Sequence, residues 1–284
     1  MPVVIVHWNQ PQRCLRTIEA LRSQTGVEVV VTVVDNGSHA EAIDTVRATG
    51  VEVLALGENR GFGPAANVGF QRWLDDPTRP DWVGLAPHDA LPAPDCLARL
   101  LAAAADRPRP GLACADYGDG ATPVVDPYFG GILAPATVAE GWEPAGYPHG
   151  TLMLARRACL HDVGLFDERY FAYGEEADLG LRATTRGWEC GLVRGAMVAN
   201  PNLGSTLGTV DYLMLRNTLL LVREHSGRYH AFIRFCIAIW HLGAGAVRPA
   251  RRGPYWHPRG RLLALRDFLT GRYGPPPASL LHRR

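Results

Sequence analysis

Apolar and polar positions alternate along this chain in blocks of strand and helix character. Residues 3–6 (Val3, Val4, Ile5, Val6) form an unbroken apolar run. Such a run predicts a strand buried on both faces, with His7, Trp8 and Asn9 in its exit loop. Over residues 12–24, Leu15, Ile18 and Leu21 recur at helical spacing and give the segment one buried face. Residues 27–34 are a second apolar run, closed by Asp35, Asn36, Gly37 and Ser38, and residues 51–56 are a third. Gly61 and Gly63 permit close backbone approach, and Pro64 begins a helix carrying Asn67. A fourth strand is predicted over residues 82–89, ending at Asp89. Strand, helix, strand with an acid at the second strand's carboxyl end is the order of a nucleotide-binding α/β half, where Asp35 can accept a hydrogen bond from a base or ribose.

Further along, residues 106–110 and 116–127 are rich in turn formers and read as connections, the second a surface loop bordering the site. A helix is expected from about Glu175 and another from Asp211. Residues 231–247 are apolar but carry Arg234 and His241, too short and too interrupted a run to predict a membrane span. Arg248, Arg251, Arg252, Arg259, Arg261, Arg266 and Arg272 follow with little acid. That tail fits a helix seated on anionic lipid, and equally a helical lid or a homodimer-forming helix with a solvated arginine face.

Composition narrows the class. With 284 residues and 47% hydrophobic content, the chain can bury one large core or two cooperating halves. A net charge of +1 gives no reason to expect a nucleic-acid partner. The six cysteines form no CxxC pair, so neither zinc nor a disulfide framework is indicated, and reduced thiols in the cytoplasm are expected. The chain opens almost directly on a strand, so no cleavable signal peptide is predicted. Every Lys+Arg position is Arg, which reflects base composition rather than mechanism.

Candidate chemistry concentrates in residues 164–182, where Asp167, Glu168, Glu175, Glu176 and Asp178 are interleaved with Phe166, Tyr170, Phe171 and Tyr173. Acids held against apolar walls gain proton affinity, as a general base working near neutral pH requires. The same run also fits an exposed loop leading into a helix whose first turn favours acids. Its order, however, resembles the "GxFDExFFxYxEDxDLxxR" signature of family 2 inverting glycosyltransferases. Other stretches resemble that family in the same order. Residues 6–9 and 33–38 match "VxYN" and "VDNGS", and residues 59–69 match "NxGFGxxxNxG". Residues 87–90 stand at the "DxD"-like or "NPDA" motif, residues 150–157 at "GxxMLxRR", and residues 212–217 at the "YxxRN" element of rhamnosyltransferase-type members.

The resemblance implies a GT-A-like, Rossmann-type, mostly parallel α/β sheet flanked by helices, with a C-terminal helical, Arg-rich extension over residues 211–284. Residues 1–90 would be the nucleotide-sugar half and residues 91–210 the acceptor half of one domain. It implies transfer of a hexose from a UDP- or dTDP-linked donor to a hydroxyl acceptor (glycan, lipid-linked or natural product), with inversion. Donor contacts would fall to His7, Asn9, Asp35, Asn36, Asn59, Gly61 and Asn67. Mn²⁺ or Mg²⁺ would sit on Asp89, with His88 as second ligand. Glu176 would be the base, with Glu175 and Asp178 shaping its surroundings and Asp178 capping the following helix. His149 would touch acceptor hydroxyls, and Arg216 would lie near the donor phosphates or against the acidic loop. Asn200 stands where relatives carry a metal-assisting His, and only one acid survives at the "DxD" position. These departures also suit a catalytically silent binding protein of the same fold. A nucleotidyltransferase would need a glycine-rich, basic triphosphate loop that residues 7–14 lack. The expected location is cytoplasmic, at the inner face of a membrane if the tail binds lipid.

Overall fold

The computed structural model describes residues 1–200 and 207–281. In the first half, strands β1 (Pro2–His7), β2 (Val30–Asp35), β3 (Glu52–Ala55) and β4 (Trp82–Pro87) alternate with helices α1 (Pro11–Arg22), α2 (Ala40–Arg47) and α3 (Phe62–Leu74). The short strand β5 (Leu91–Pro92) and helix α4 (Cys96–Ala105) lead into β6 (Pro110–Asp116), β7 (Ala121–Asp126), β8 (Gly130–Pro135), β9 (Gly141–Pro144) and β10 (Met153–Arg156). Helices α5 (Arg157–Val163) and α6 (Glu175–Thr185) precede the long strand β11 (Glu189–Ala199). Helices α7 (Leu207–His225), α8 (Arg228–Val247), α9 (Pro258–Leu269) and α10 (Ala278–Leu281) complete the described chain.

Among the described residues one nine-stranded sheet runs in the order β3-β2-β1-β4-β10-β6-β11-β5, with β9 also on β11. β1 pairs in parallel with β2 and β4, and β6 with β11, while β10 joins the two halves as an antiparallel strand between β4 and β6. The α/β expectation therefore holds, and both halves share one sheet. The apolar run at residues 3–6 explains why. Val3 and Ile5 pack with Cys14, Ile18 and Leu21 of α1, while Val4 and Val6 pack with Ala65, Ala66 and Phe70 of α3. A strand covered on both faces by helices needs apolar side chains at every position.

Residues 116–127 depart from the expected loop. β7 pairs with β8 as an antiparallel hairpin separate from the main sheet, its turn closed by Asp126 Oδ1 accepting from the amides of Tyr128 and Phe129. The turn formers Gly118, Asp119 and Gly120 dominate the local pattern, while the strand's partner lies beyond residue 127. The tail is anchored: Arg261 makes a bidentate pair with Asp211 of α7 at 2.8 Å, and Tyr212 Oη donates to Asp267 at 2.9 Å.

Candidate active site

β1 and β2 end side by side, in the register that pairs His7 with Asp35. His7 Nδ1 lies 2.8 Å from Asp35 Oδ1, and both side chains are fully buried. Gln10 N donates to His7 Nε2 at 3.2 Å, so the ring proton sits on Nδ1 and is given to Asp35. Ser38 N donates to Asp35 Oδ2 at 3.0 Å. Burial alone would raise the Asp35 carboxyl, but these hydrogen bonds from His7 and Ser38 hold it below its ordinary value. Asp35 thus braces the ends of β1 and β2 from a fully buried position.

The other predicted donor residues brace neighbouring loops in the same way. Asn9, in the left-handed region at φ 50°, accepts from His39 N at 2.9 Å, and its own amide donates to Ser38 Oγ at 2.8 Å. Asn36 Nδ2 donates to Asn59 Oδ1 at 3.0 Å and to Gly61 O at 3.1 Å. Gly61 has φ 101°, and a Cβ there would stand 2.3 Å from Phe171 O. Asn67 Nδ2 donates to Phe166 O at 2.9 Å, while Phe166 N donates back to Asn67 Oδ1 at 3.0 Å. Asn67 therefore ties α3 to the acidic loop.

That loop is also held from the other side. Phe171 and Tyr173 take left-handed backbone angles of φ 67° and 68°, a conformation non-glycine residues adopt only when surroundings enforce it. Asn217 Nδ2 of α7 lies 2.8 Å from Tyr170 O, 2.8 Å from Ala172 O and 2.6 Å from Tyr173 O. Arg216, fully buried, donates to Tyr170 O at 3.1 Å and to Gly274 O at 2.8 Å. Arg216 packs against the loop; its guanidinium is spent on carbonyls and on Tyr212, not aimed at a phosphate.

The loop delivers Glu175 and Glu176 as the first residues of α6, after Gly174. Glu175 is 1% exposed, and its Oε2 has no hydrogen-bond partner among the described residues. Burial and the neighbouring charge of Glu176 push its proton affinity well above the ordinary 4.5. Glu176 faces the cavity, its Oε1 over Gly150, where a Cβ would lie 2.1 Å away. Burial raises Glu176 as well. Asp178 does not cap the helix. It pairs with Arg182 Nε and His225 Nε2, both at 2.8 Å, and these outweigh burial to hold it below its ordinary value.

At the end of β4, Asp89 is 7% exposed and accepts from Asn200 Nδ2 at 3.1 Å, with Arg13 Nη1 at 3.9 Å. Burial raises it despite both partners. His88 does not join it as a ligand facing the cavity. Its ring meets the edge of His7 at 5.7 Å, and burial followed by the nearby His7 lowers it to about 4. Among the described residues no group of three His, Cys, Asp or Glu side chains converges to hold a metal. The set suits a cation brought in with further oxygen ligands, not a resident one.

Glu175, Asp89 and Phe62 line a cavity of about 470 Å³, and Ile132, Leu133, Met214 and Leu221 line a second of about 540 Å³. Glu176, His149, Asn200 and Tyr255 belong to both and form the wall between them. Tyr117 stacks on His149 at 5.8 Å and donates from its hydroxyl to Asn200 O, while Thr151 Oγ1 lies 2.8 Å from His149 Nδ1. Burial lowers the His149 pKa, leaving a neutral ring at the wall. Sequence reasoning gave no site role to Arg13, Tyr117 or Tyr255. Arg13, in the first turn of α1, follows the His7 exit loop and carried a signal; Tyr255 arrives from a distant segment and carried none.

The family model for glycosyl transferase family 2 matches residues 3–163 and stops before α6. The N-acetylglucosaminyl-diphospho-decaprenol L-rhamnosyltransferase of Mycobacterium tuberculosis is 28% identical over 277 residues, spanning 84% of this chain and 89% of that protein. Among solved structures, a mannosyltransferase from Pyrobaculum calidifontis in complex with GDP-Man and Mn²⁺ superposes with a TM-score of 0.61 at 14% identity. That match covers 95% of this chain and 86% of the other. GalNAc-T7 with UDP, GalNAc and Mn²⁺ gives a TM-score of 0.64 at 16% identity, over 95% of this chain and 55% of that one. With residues 3–163 matched by the family model, its GT-A fold and two cavities meeting at a carboxylate, the chain belongs to glycosyl transferase family 2 and is a hexosyltransferase that uses a nucleotide sugar.

Proposed function

We propose that this enzyme transfers a hexose from a UDP- or dTDP-linked donor to the hydroxyl of a lipid-linked acceptor, with inversion, at the cytoplasmic face of a membrane. The observation that carries this reading is the position of Glu176 in the wall shared by a cavity containing Asp89 and one lined by Ile132, Leu133 and Met214. The first suits the donor's diphosphate and sugar. The second, to which Ile132, Leu133 and Met214 contribute aliphatic side chains, suits the stem of a lipid acceptor, the class named for the mycobacterial relative.

In this reading the acceptor hydroxyl reaches Glu176 from the second cavity. Glu176 takes its proton as the oxygen forms a bond to the anomeric carbon. The bond from that carbon to the diphosphate breaks on the opposite face, and the nucleoside diphosphate leaves with the electron pair, so configuration inverts. Glu175, held protonated by burial and by Glu176, keeps a second negative charge away from the base. Arg13, 3.9 Å from Asp89, stands where it can offset charge on the leaving diphosphate. A divalent cation arriving with the donor would be held by Asp89 and would supply Lewis-acid neutralisation of the diphosphate. The braces built on His7–Asp35 and Asn36–Asn59 fix the loops of the donor side.

The test is transfer by purified enzyme from UDP- and dTDP-hexoses to a polyprenyl-diphosphate sugar, with a water-soluble glycan as comparison. Product with an inverted anomeric centre, on the lipid acceptor in preference to the glycan, is expected. Nucleotide binding with neither transfer nor donor hydrolysis would make the chain a binding protein of this fold.

A further inference from the structure

Helix α8 (Arg228–Val247) is long and apolar enough to cross a membrane by length and composition, yet it is seated on the protein along one face. Ala231, Ala238 and Gly245 are buried, and Phe235 and Leu242 pack with the cluster of α7 and α9. The opposite face carries Tyr229, Phe232, Cys236, Ile239, Trp240 and Val247, all exposed and falling on one side of a 3.6-residue helix. Phe232 is 62% and Trp240 57% exposed, and no charged side chain interrupts the row. Large apolar groups in so continuous a stripe mark a contact surface.

The charge pattern around the stripe selects the partner. Between Glu224 and Asp267 the sequence holds eight arginines and no acid. Arg228 stands at one end of the helix and Arg248, Arg251 and Arg252 at the other, with Arg251 5.3 Å from the Trp240 ring. An apolar stripe flanked by arginines, with Tyr and Trp among its large side chains, matches the interface of an anionic bilayer. A spanning orientation would drag α7, with Arg223 and Glu224, and the partly buried Arg234 into hydrocarbon.

We propose that α8 lies flat on an anionic phospholipid surface, with Phe232, Ile239 and Trp240 buried below the headgroups and the flanking arginines among them. The orientation follows from the contacts of its remaining side. The His230 ring lies 4.8 Å from that of Tyr128, tilted at 46°, and the Arg234 guanidinium sits over Phe129 at 5.3 Å, both at the tip of the β7–β8 hairpin. The same hairpin supplies Ile132 and Leu133 to the second cavity. The surface that meets the bilayer is therefore continuous with the cavity mouth.

Cys236 is the exposed thiol in this stripe, the other five cysteines being buried, so an environment-sensitive fluorophore can be attached there in the full-length protein. On mixing with phosphatidylglycerol vesicles, the protein should float with the lipid and the label's emission should shift to the blue. Phosphatidylcholine vesicles should give much weaker binding, and added salt should release the protein. The Phe232→Glu/Trp240→Glu variant should lose about tenfold or more of its vesicle binding, and Arg248→Gln/Arg251→Gln about fivefold per arginine. Circular dichroism should show both variants folded. Absence of flotation on anionic vesicles, or unchanged flotation of Phe232→Glu/Trp240→Glu, overturns the proposal. So does light scattering that shows a dimer which Phe232→Glu/Trp240→Glu abolishes, since a second copy then covers the stripe. The vesicles hold neither acceptor nor nucleotide sugar, so the outcome is independent of the reading of the active site. An enzyme that transfers sugar without floating overturns only this proposal, and one that floats without transferring overturns only the other.

Discussion

At the scale of single residues, Glu175 and Glu176 are neighbours that both line the first cavity, Glu175 being the more deeply buried. Burial raises the proton affinity of each, and the charge of Glu176 raises Glu175 further. Glu176→Gln should lower turnover by about 10²–10⁴-fold, the usual contribution of a general base, with donor affinity little changed by calorimetry. In the wild type, kcat/KM should fall on the acid side above the ordinary glutamate value of 4.5, because burial raises the base. That limb should vanish in Glu176→Gln and stay in place in Glu175→Gln. The stability of the protein carries the complementary sign. A carboxyl whose folded value lies above its unfolded one binds more protons when folded, so Glu175 lowers stability as pH rises from 4.5 toward that folded value. Thermal unfolding of Glu175→Gln should show a flatter decline across that window. Asp89 gives a third expectation: its change to Ala should weaken donor binding in Mn²⁺, while chelator should leave little difference between variant and wild type. The acidic cluster was legible because its charge density among aromatics is local. The bracing role of Asp35 was not, since only the register of β1 against β2 brings His7 beside it.

At the scale of elements, α7 sets the shape of the acidic loop through Arg216 and Asn217. Asn217→Ala would strip hydrogen bonds from carbonyls of a loop whose Phe171 and Tyr173 already sit in the left-handed region. A loss of roughly 1–3 kcal/mol in unfolding free energy is expected. Turnover should fall further than donor affinity, since Glu176 is what the loop positions; denaturant melts and steady-state kinetics check the two halves of this expectation. Strands and helices of the first half were legible from unbroken apolar runs and helical spacing. The β7–β8 hairpin was hidden because Gly130, Gly131 and Asp126 spell a turn locally, whereas Val124 and Ile132 acquire meaning only when paired.

At the scale of the whole molecule, the C-terminal extension is a working part of the site. The segment between α8 and α9 returns to the body and sets Tyr255 in the wall between the cavities. Tyr255→Ala should raise the acceptor KM about fivefold, the scale of one lost contact of ~1 kcal/mol, with vesicle binding unchanged. No local pattern marks Tyr255, since Glu176 and His149, which line the cavities with it, lie far away in sequence. The shared wall has a further consequence, for what happens when no acceptor is present. A base reachable from the second cavity activates whatever hydroxyl stands there, and water carries one too. On the proposed reading, the rate of futile donor hydrolysis depends on how far Ile132, Leu133, Met214 and Leu221 keep water from the Glu176 carboxylate. Leu133→Ser should then release free hexose faster even where transfer to lipid is unimpaired.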